Sequence, residues 1–215
     1  MTSNPIKRLA TIYSEPQEVD AELAKLGVNR GILVDALQQG EVQRRLGSRL
    51  DPKPSPAYHA WSRAVRALRE GALDLQASWH SEEPNGLPMV VNAHTTIALT
   101  VSSGDENTGR PETGKDPASK NPKGEATATV VAQNVQEALD IPAPTTWVLL
   151  FDSGDDGLFA ELSCPEALAA NGYIDTWSVR IILGQIDLGE DNVRSDAPVE
   201  PPVDAPDVPV VRRSS

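Results

Sequence analysis

Cysteine is almost absent from this chain: Cys164 is the only one in 215 residues. An intramolecular disulfide is therefore impossible, and zinc sites built on several thiolates are excluded. A single cysteine suits a reducing compartment, and no Asn-x-Ser/Thr acceptor occurs anywhere, so a cytoplasmic location is expected. Histidine is scarce as well. His59, His80 and His94 are scattered, with no two at metal-ligand spacing on one element. No metal and no cofactor is expected on this basis. Nothing approaches the roughly 20 consecutive apolar residues of a membrane span; the longest apolar runs, such as Trp147–Phe151, are strand-length. Met1–Ala10 is polar, with Lys7 and Arg8, and lacks the apolar stretch of a secretory signal. No membrane partner is expected.

Apolar residues make up 39% of the chain, below the usual globular share, as if part of it did not fold. The net charge is −12, from 31 acidic and 19 basic residues. Segment 187–215 holds seven acids against three arginines, which leaves it at −4 and the body at −8. A body of that sign is repelled by a nucleic-acid backbone unless its cations cluster, so nucleic acid is a disfavoured partner.

The first third reads as helical. Ser14-Glu15-Pro16 is a helix start, followed by Val19, Leu23 and Leu26 at helical spacing until Gly27. A second helix is predicted from Asn29, with Ile32, Leu33, Ala36 and Leu37 on one face and Gly40 as a candidate interruption. The proline-rich break at Asp51–Pro56 precedes a third helix carrying Trp61, Val65 and Leu68. Past Trp79 the pattern becomes strand-like at 89–91, 96–101, 147–151, 158–162 and 177–183. Ser153–Gly157 marks a hairpin turn. A helix is predicted between the second and third strands, from Gly124–Glu125 to about Leu139. The predicted fold class is α+β: N-terminal helices, then a mainly antiparallel sheet of about five strands with one inserted helix. Residues 1–186 are read as one domain, helical over about 14–72 and sheet over about 79–186. Residues 187–215, with five prolines from Pro198 to Pro209, are read as a disordered acidic tail. Val208–Arg213 leaves room for a short docking motif within it.

Residues 103–124 contain four glycines, three prolines and no large apolar side chain. Such a stretch reads as a long exposed loop, and loops of that length are commonly functional or disordered. Within it, Gly109–Lys115 matches the G-x4-G-K spacing of a phosphate-binding loop. Asp116 stands where the magnesium-binding hydroxyl belongs, and Pro117 follows where a helix must begin. The match is a chance one. At its end, Lys120, Asn121, Lys123, Gly124 and Thr127 place positive charge at a predicted helix start, where free amides also favour anions. With Asp105 they form the candidate ligand- or partner-binding set; capping by Glu125 is the alternative explanation.

Two further constellations are open at this stage. The stretch from Ala21 to Leu37, with Gly27 between helices, has a helix-turn-helix pattern that would offer Asn29 and Arg30 to DNA base edges. Asp105, Asp152, Glu161 and Lys123 are the candidate groups of a metal-dependent hydrolase or nuclease, although Ser163 stands where the lysine of such a core is expected, two residues after Glu161. Cys164, next to Pro165, reads as a packed thiol, and Trp61, Trp79, Trp147 and Trp177 read as core anchors.

Tyr58-His59-Ala60-Trp61, Arg66–Glu70, Ser103–Gly109, Asn121–Thr127 and Glu161-Leu162-Ser163 together resemble a group of uncharacterised bacterial proteins, some encoded on mobile or accessory elements. The resemblance covers roughly residues 20–185. It implies a bacterial setting and an accessory or defence-related role, and it assigns no catalytic residue. The expectation is a non-enzymatic interaction or regulatory protein whose partner, another protein, docks on the 103–124 loop and the helix start after it.

Overall fold

The computed structural model describes residues 10–75, 78–135 and 143–189. The predicted tail beyond Gly189, and the stretch in which Leu139 was placed at the end of the inserted helix, lie outside these residues. In chain order the elements are β1 (Thr11–Tyr13), α1 (Pro16–Lys25), α2 (Arg30–Arg45), α3 (Ser55–Leu75), β2 (Trp79–Glu82), β3 (Met89–Asn92), β4 (Ile97–Ser103), α4 (Glu125–Val135), β5 (Thr145–Gly154), β6 (Gly157–Leu168) and β7 (Ile174–Ile186). They form an α+β fold: helices first, then a mostly antiparallel mixed sheet with one inserted helix.

The sheet has seven strands in the order β1-β7-β6-β5-β4-β3-β2. Four neighbouring pairs are antiparallel. The other two, β1 with β7 and β4 with β5, are parallel. The two strands beyond the expected five are β1 and β2, at opposite edges. Both are short and partly exposed, so neither carries the apolar alternation that marks a half-buried strand. The parallel pair follows from α4: a crossover helix returns the chain to the same end of the sheet.

Helices α1, α2 and α3 cover one face. Val19, Leu23, Leu33, Leu37 and Leu68 pack there against Leu99, Val101, Leu149, Phe151, Leu162 and Ile181. Asn29 caps α2 by accepting the Ile32 N–H at 3.1 Å. Gly40 does not interrupt α2. It is buried against α3, where a side-chain carbon would lie 2.7 Å from the Ala60 carbonyl oxygen. Next to it Glu41, 4% exposed, accepts from Arg44 and Arg45 and from the Ser153 hydroxyl at 2.8 Å. That contact ties α2 to the end of β5. Burial alone would raise this carboxyl, but the two arginines prevail and hold it below the usual carboxylate range.

The opposite face is covered by α4, whose Val130 meets Met89, Val91 and Ala98, and by the 103–124 segment. The segment is not exposed throughout. Thr108 and Ser119 are fully buried. Ser119 gives its N–H to the Ile174 carbonyl and takes the Ile174 N–H on its hydroxyl. The Trp177 indole donates to the Pro117 carbonyl at 2.8 Å. The small side chains that made this stretch look like a free loop are what lets its backbone lie flat on the sheet. At Gly109 (φ +69) a side-chain carbon would come within 2.8 Å of Ala160 backbone atoms.

Beneath the segment, Arg180 grips Glu161, Nε to Oε1 at 3.0 Å and Nη2 to Oε2 at 2.7 Å. Ser163 Oγ and the Gly109 N–H complete the carboxylate. Asp116 accepts a further bond from Arg180 at 3.4 Å. The pair is therefore shared between two strands and the segment that covers them.

Candidate functional site

β3 accompanies β4 only over Ile97–Leu99, and among the described residues the second half of β4 has no strand beside it on that side. Trp61 of α3 fills part of the gap: its indole N–H donates to the Val101 carbonyl at 3.0 Å. Beyond the indole a cleft of about 400 Å³ opens between the start of α3, the end of β4, the last residues of the 103–124 segment and the first turn of α4. That volume falls in the range of small-ligand sites. Tyr58, 60% exposed, stands at its rim with its ring 5.9 Å from that of Trp61. Leu87, Val148 and Ile174 supply most of the remaining apolar wall.

Among the described residues Lys123 is the one cation in this wall. Its backbone N–H is anchored on the Gly172 carbonyl at 2.8 Å, which fixes where the side chain leaves the chain. The ammonium is half-buried and donates to the Ser102 hydroxyl at 2.6 Å. Among the described residues no carboxylate pairs with it. Burial pushes the Lys123 amine below its ordinary value, because the charged form has lost water without gaining an anion. Ser102, in turn, donates to the Ser103 carbonyl at 3.2 Å. A desolvated lysine beside hydroxyls, in a mostly apolar cleft, is equipped to hold one negative group.

Of the residues expected to bind a ligand, Asn121, Lys123 and Thr127 line this cleft together. Lys120 and Gly124 adjoin it through the backbone: the Lys120 N–H holds the Ser103 carbonyl, and the Gly124 carbonyl begins the hydrogen bonding of α4. Asp105 does not reach it; its carboxylate accepts the Asn107 N–H within a tight turn. The sequence pointed to α4's start through local signals, but it left out Tyr58, Trp61 and Ser102. Trp61 was read as a core anchor, and it is half-buried with one edge on the cleft. An aromatic residue at helical spacing looks the same in either role.

The other constellations are used up internally. Asn29 caps α2, and Arg30 donates to the Leu183 carbonyl at 2.5 Å, on the sheet rather than toward a groove of DNA. Asp152 and Glu161 do share a sheet face, but each faces an arginine: Arg110 lies 3.2 Å from Asp152, and Arg180 holds Glu161. Arg110 also stacks on Phe159, 3.6 Å from the ring centre. Asp105, Asp152, Glu161 and Lys123 therefore do not converge. Among the described residues no group of three or more His, Cys, Asp or Glu is placed to hold a metal ion. Gly109–Asp116 forms a short turn, not a loop feeding a helix. Cys164 is buried, and burial pushes its thiol above its ordinary value. No described helix is long and apolar enough to cross a membrane.

Compared with protein-family models, curated proteins and solved structures, the chain matches none.

Proposed function

We propose that this protein is a non-enzymatic interaction protein that engages another protein through the cleft at the end of the 103–124 segment and the start of α4. The observation that carries the reading is Lys123: a half-buried ammonium facing an open cleft, hydrogen-bonded to Ser102 and, among the described residues, paired with no carboxylate. A buried charge left in that condition is unfavourable unless it serves an occupant. The exposed Tyr58 and the half-buried Trp61 beside it are residue types that anchor interfaces. The resemblance to bacterial proteins from mobile or accessory elements supports an accessory or defence-related setting.

Deleting residues 103–124 is a poor test, because it strips the cover from Arg180, Glu161 and Trp177. Point variants at the cleft are the appropriate tool. With a photo-crosslinking residue in place of Tyr58, a discrete crosslinked partner is expected in the source cells, and Lys123→Glu in the same chain removes it. A crosslinking pattern that Lys123→Glu leaves unchanged overturns the reading.

A further inference from the structure

The proposed partner site can be taken one step further, to the chemistry of the group it receives; this step rests on the reading above. We infer that the cleft binds a monocarboxylate carried on a flat apolar body, the chemistry shared by a free aryl-alkanoic acid and by a polypeptide ending in an aromatic residue.

Three observations converge on that class. The first is charge. Among the described residues Lys123 is the single cation of the wall, and one of its three N–H donors is given to Ser102, which leaves two to meet both oxygens of one carboxylate. A phosphate dianion would be only half neutralised by one ammonium. No arginine fork is present in the wall to match a phosphate.

The second observation is the chemistry of the walls. Pro54, Tyr58, Trp61, Leu87, Val148 and Ile174 give the cleft that holds Lys123 a largely apolar lining. Aromatic rings on such a surface favour a flat partner through stacking and edge contacts. The ammonium itself is held by the Ser102 hydroxyl at 2.6 Å, and Asn121 and Thr127 line the same cleft. A ligand that carries one charge and one ring matches this combination.

The third is size. About 400 Å³ accommodates a ring with a short acidic chain, or the last residue or two of a polypeptide, and not a long folded element. An internal Asp or Glu would drag two flanking peptide groups into the apolar slot, where their N–H and C=O would lose water. A chain end brings only one.

The test is direct binding to the full chain, by calorimetry and by the NMR shift of the Lys123 side chain. Probes are 3-phenylpropionate and indole-3-acetate, the amides of both, inorganic phosphate, and Gly-Gly-Trp with a free or amidated end. The acids are expected to bind at least about tenfold more tightly than their amides, and Lys123→Gln to abolish that difference while the protein stays folded. Tyr58→Ala should weaken acid and amide alike. Tighter binding of the tripeptide acid than of the small acids assigns the chain end; the reverse order assigns a free small acid. Equal binding of acids and amides, phosphate binding tighter than any aryl acid, or no binding at millimolar probe overturns the inference. Should the probes fail while Lys123→Glu still removes the crosslinked partner, the carboxylate assignment falls and the interaction reading stands. Should acids bind while that crosslink persists in Lys123→Glu, the interaction reading falls instead.

Discussion

Arg180 and Glu161 form a two-point ion pair at 3.0 and 2.7 Å, with neither side chain more than 1% exposed. Every other donor around the carboxylate belongs to the same sheet face or to the segment lying over it. Removing one member leaves an uncompensated buried charge, which typically costs about 3–5 kcal/mol. Glu161→Gln and Arg180→Met are each expected to lower stability by that order in denaturant melts. Because either change already breaks the pair, the double variant should lose less than the two single losses combined. Full additivity would mean that the pair is not coupled.

Gly109 and Gly114 both have positive φ, +69 and +65, but only Gly109 faces a wall. Gly114→Ala should cost only the left-handed backbone penalty, about 1–2 kcal/mol. Gly109→Ala adds a collision with Ala160 and displaces the N–H that serves Glu161, so its loss should be clearly the larger. Thermal melts of the two variants in one buffer check the order.

Glu41 gives a prediction for acid. Its carboxyl is held below the usual range in the folded protein, so the unfolded chain takes up a proton first as pH falls. The stability that Glu41 contributes is full above about pH 4.3, the ordinary glutamate value, and is lost as pH drops through its lower folded value. Glu41→Gln should be less stable near neutral pH and show a flatter decline below pH 4. An unchanged acid profile would remove Glu41 from the account.

Lys123 gives the opposite sign. Its amine is lowered in the fold, so the unfolded state binds more protons between the folded value and about 10.4, and stability rises with pH across that window. At neutral pH the charge is a net liability. Lys123→Met should therefore raise the melting temperature by about 2–4 °C for each ~1 kcal/mol recovered, while removing the crosslinked partner. A stability gain together with a loss of binding separates a functional lysine from a structural one.

Cys164 is buried, and burial raises its thiol, so both access and thiolate fraction are low. A thiol reagent at pH 8 should label the native protein only slowly and the denatured protein at once. Rapid labelling of the native state would place Cys164 at the surface.

Helix starts and faces were readable from the chain because they depend on neighbours a few residues apart. Asn29 caps the N–H three positions on, and Pro16 and Glu125 open α1 and α4 as expected. The hairpin of β5 and β6 was equally plain, since its two-residue turn lies between two short apolar runs. Part of the cleft was legible for the same reason: Asn121, Lys123 and Thr127 belong to one loop-to-helix junction. The burial of segment 103–124 was not legible. Glycine and small polar residues signal a free loop, yet they also permit the close approach that Gly109 makes to Ala160.

Composition and local spacing by themselves determined the α+β class, the order of helices before sheet, and the exclusion of an intramolecular disulfide. All of these depend on counts or on short-range geometry. Only the tertiary structure decided that β4 and β5 run parallel, that β1 and β2 complete a seven-stranded sheet, and that Glu161 belongs to Arg180 rather than to a metal. It alone brought Lys123 to Ser102 across 21 residues and Trp61 to Val101 across 40. Such contacts depend on which faces pack and in what register, and no local window of sequence contains both partners.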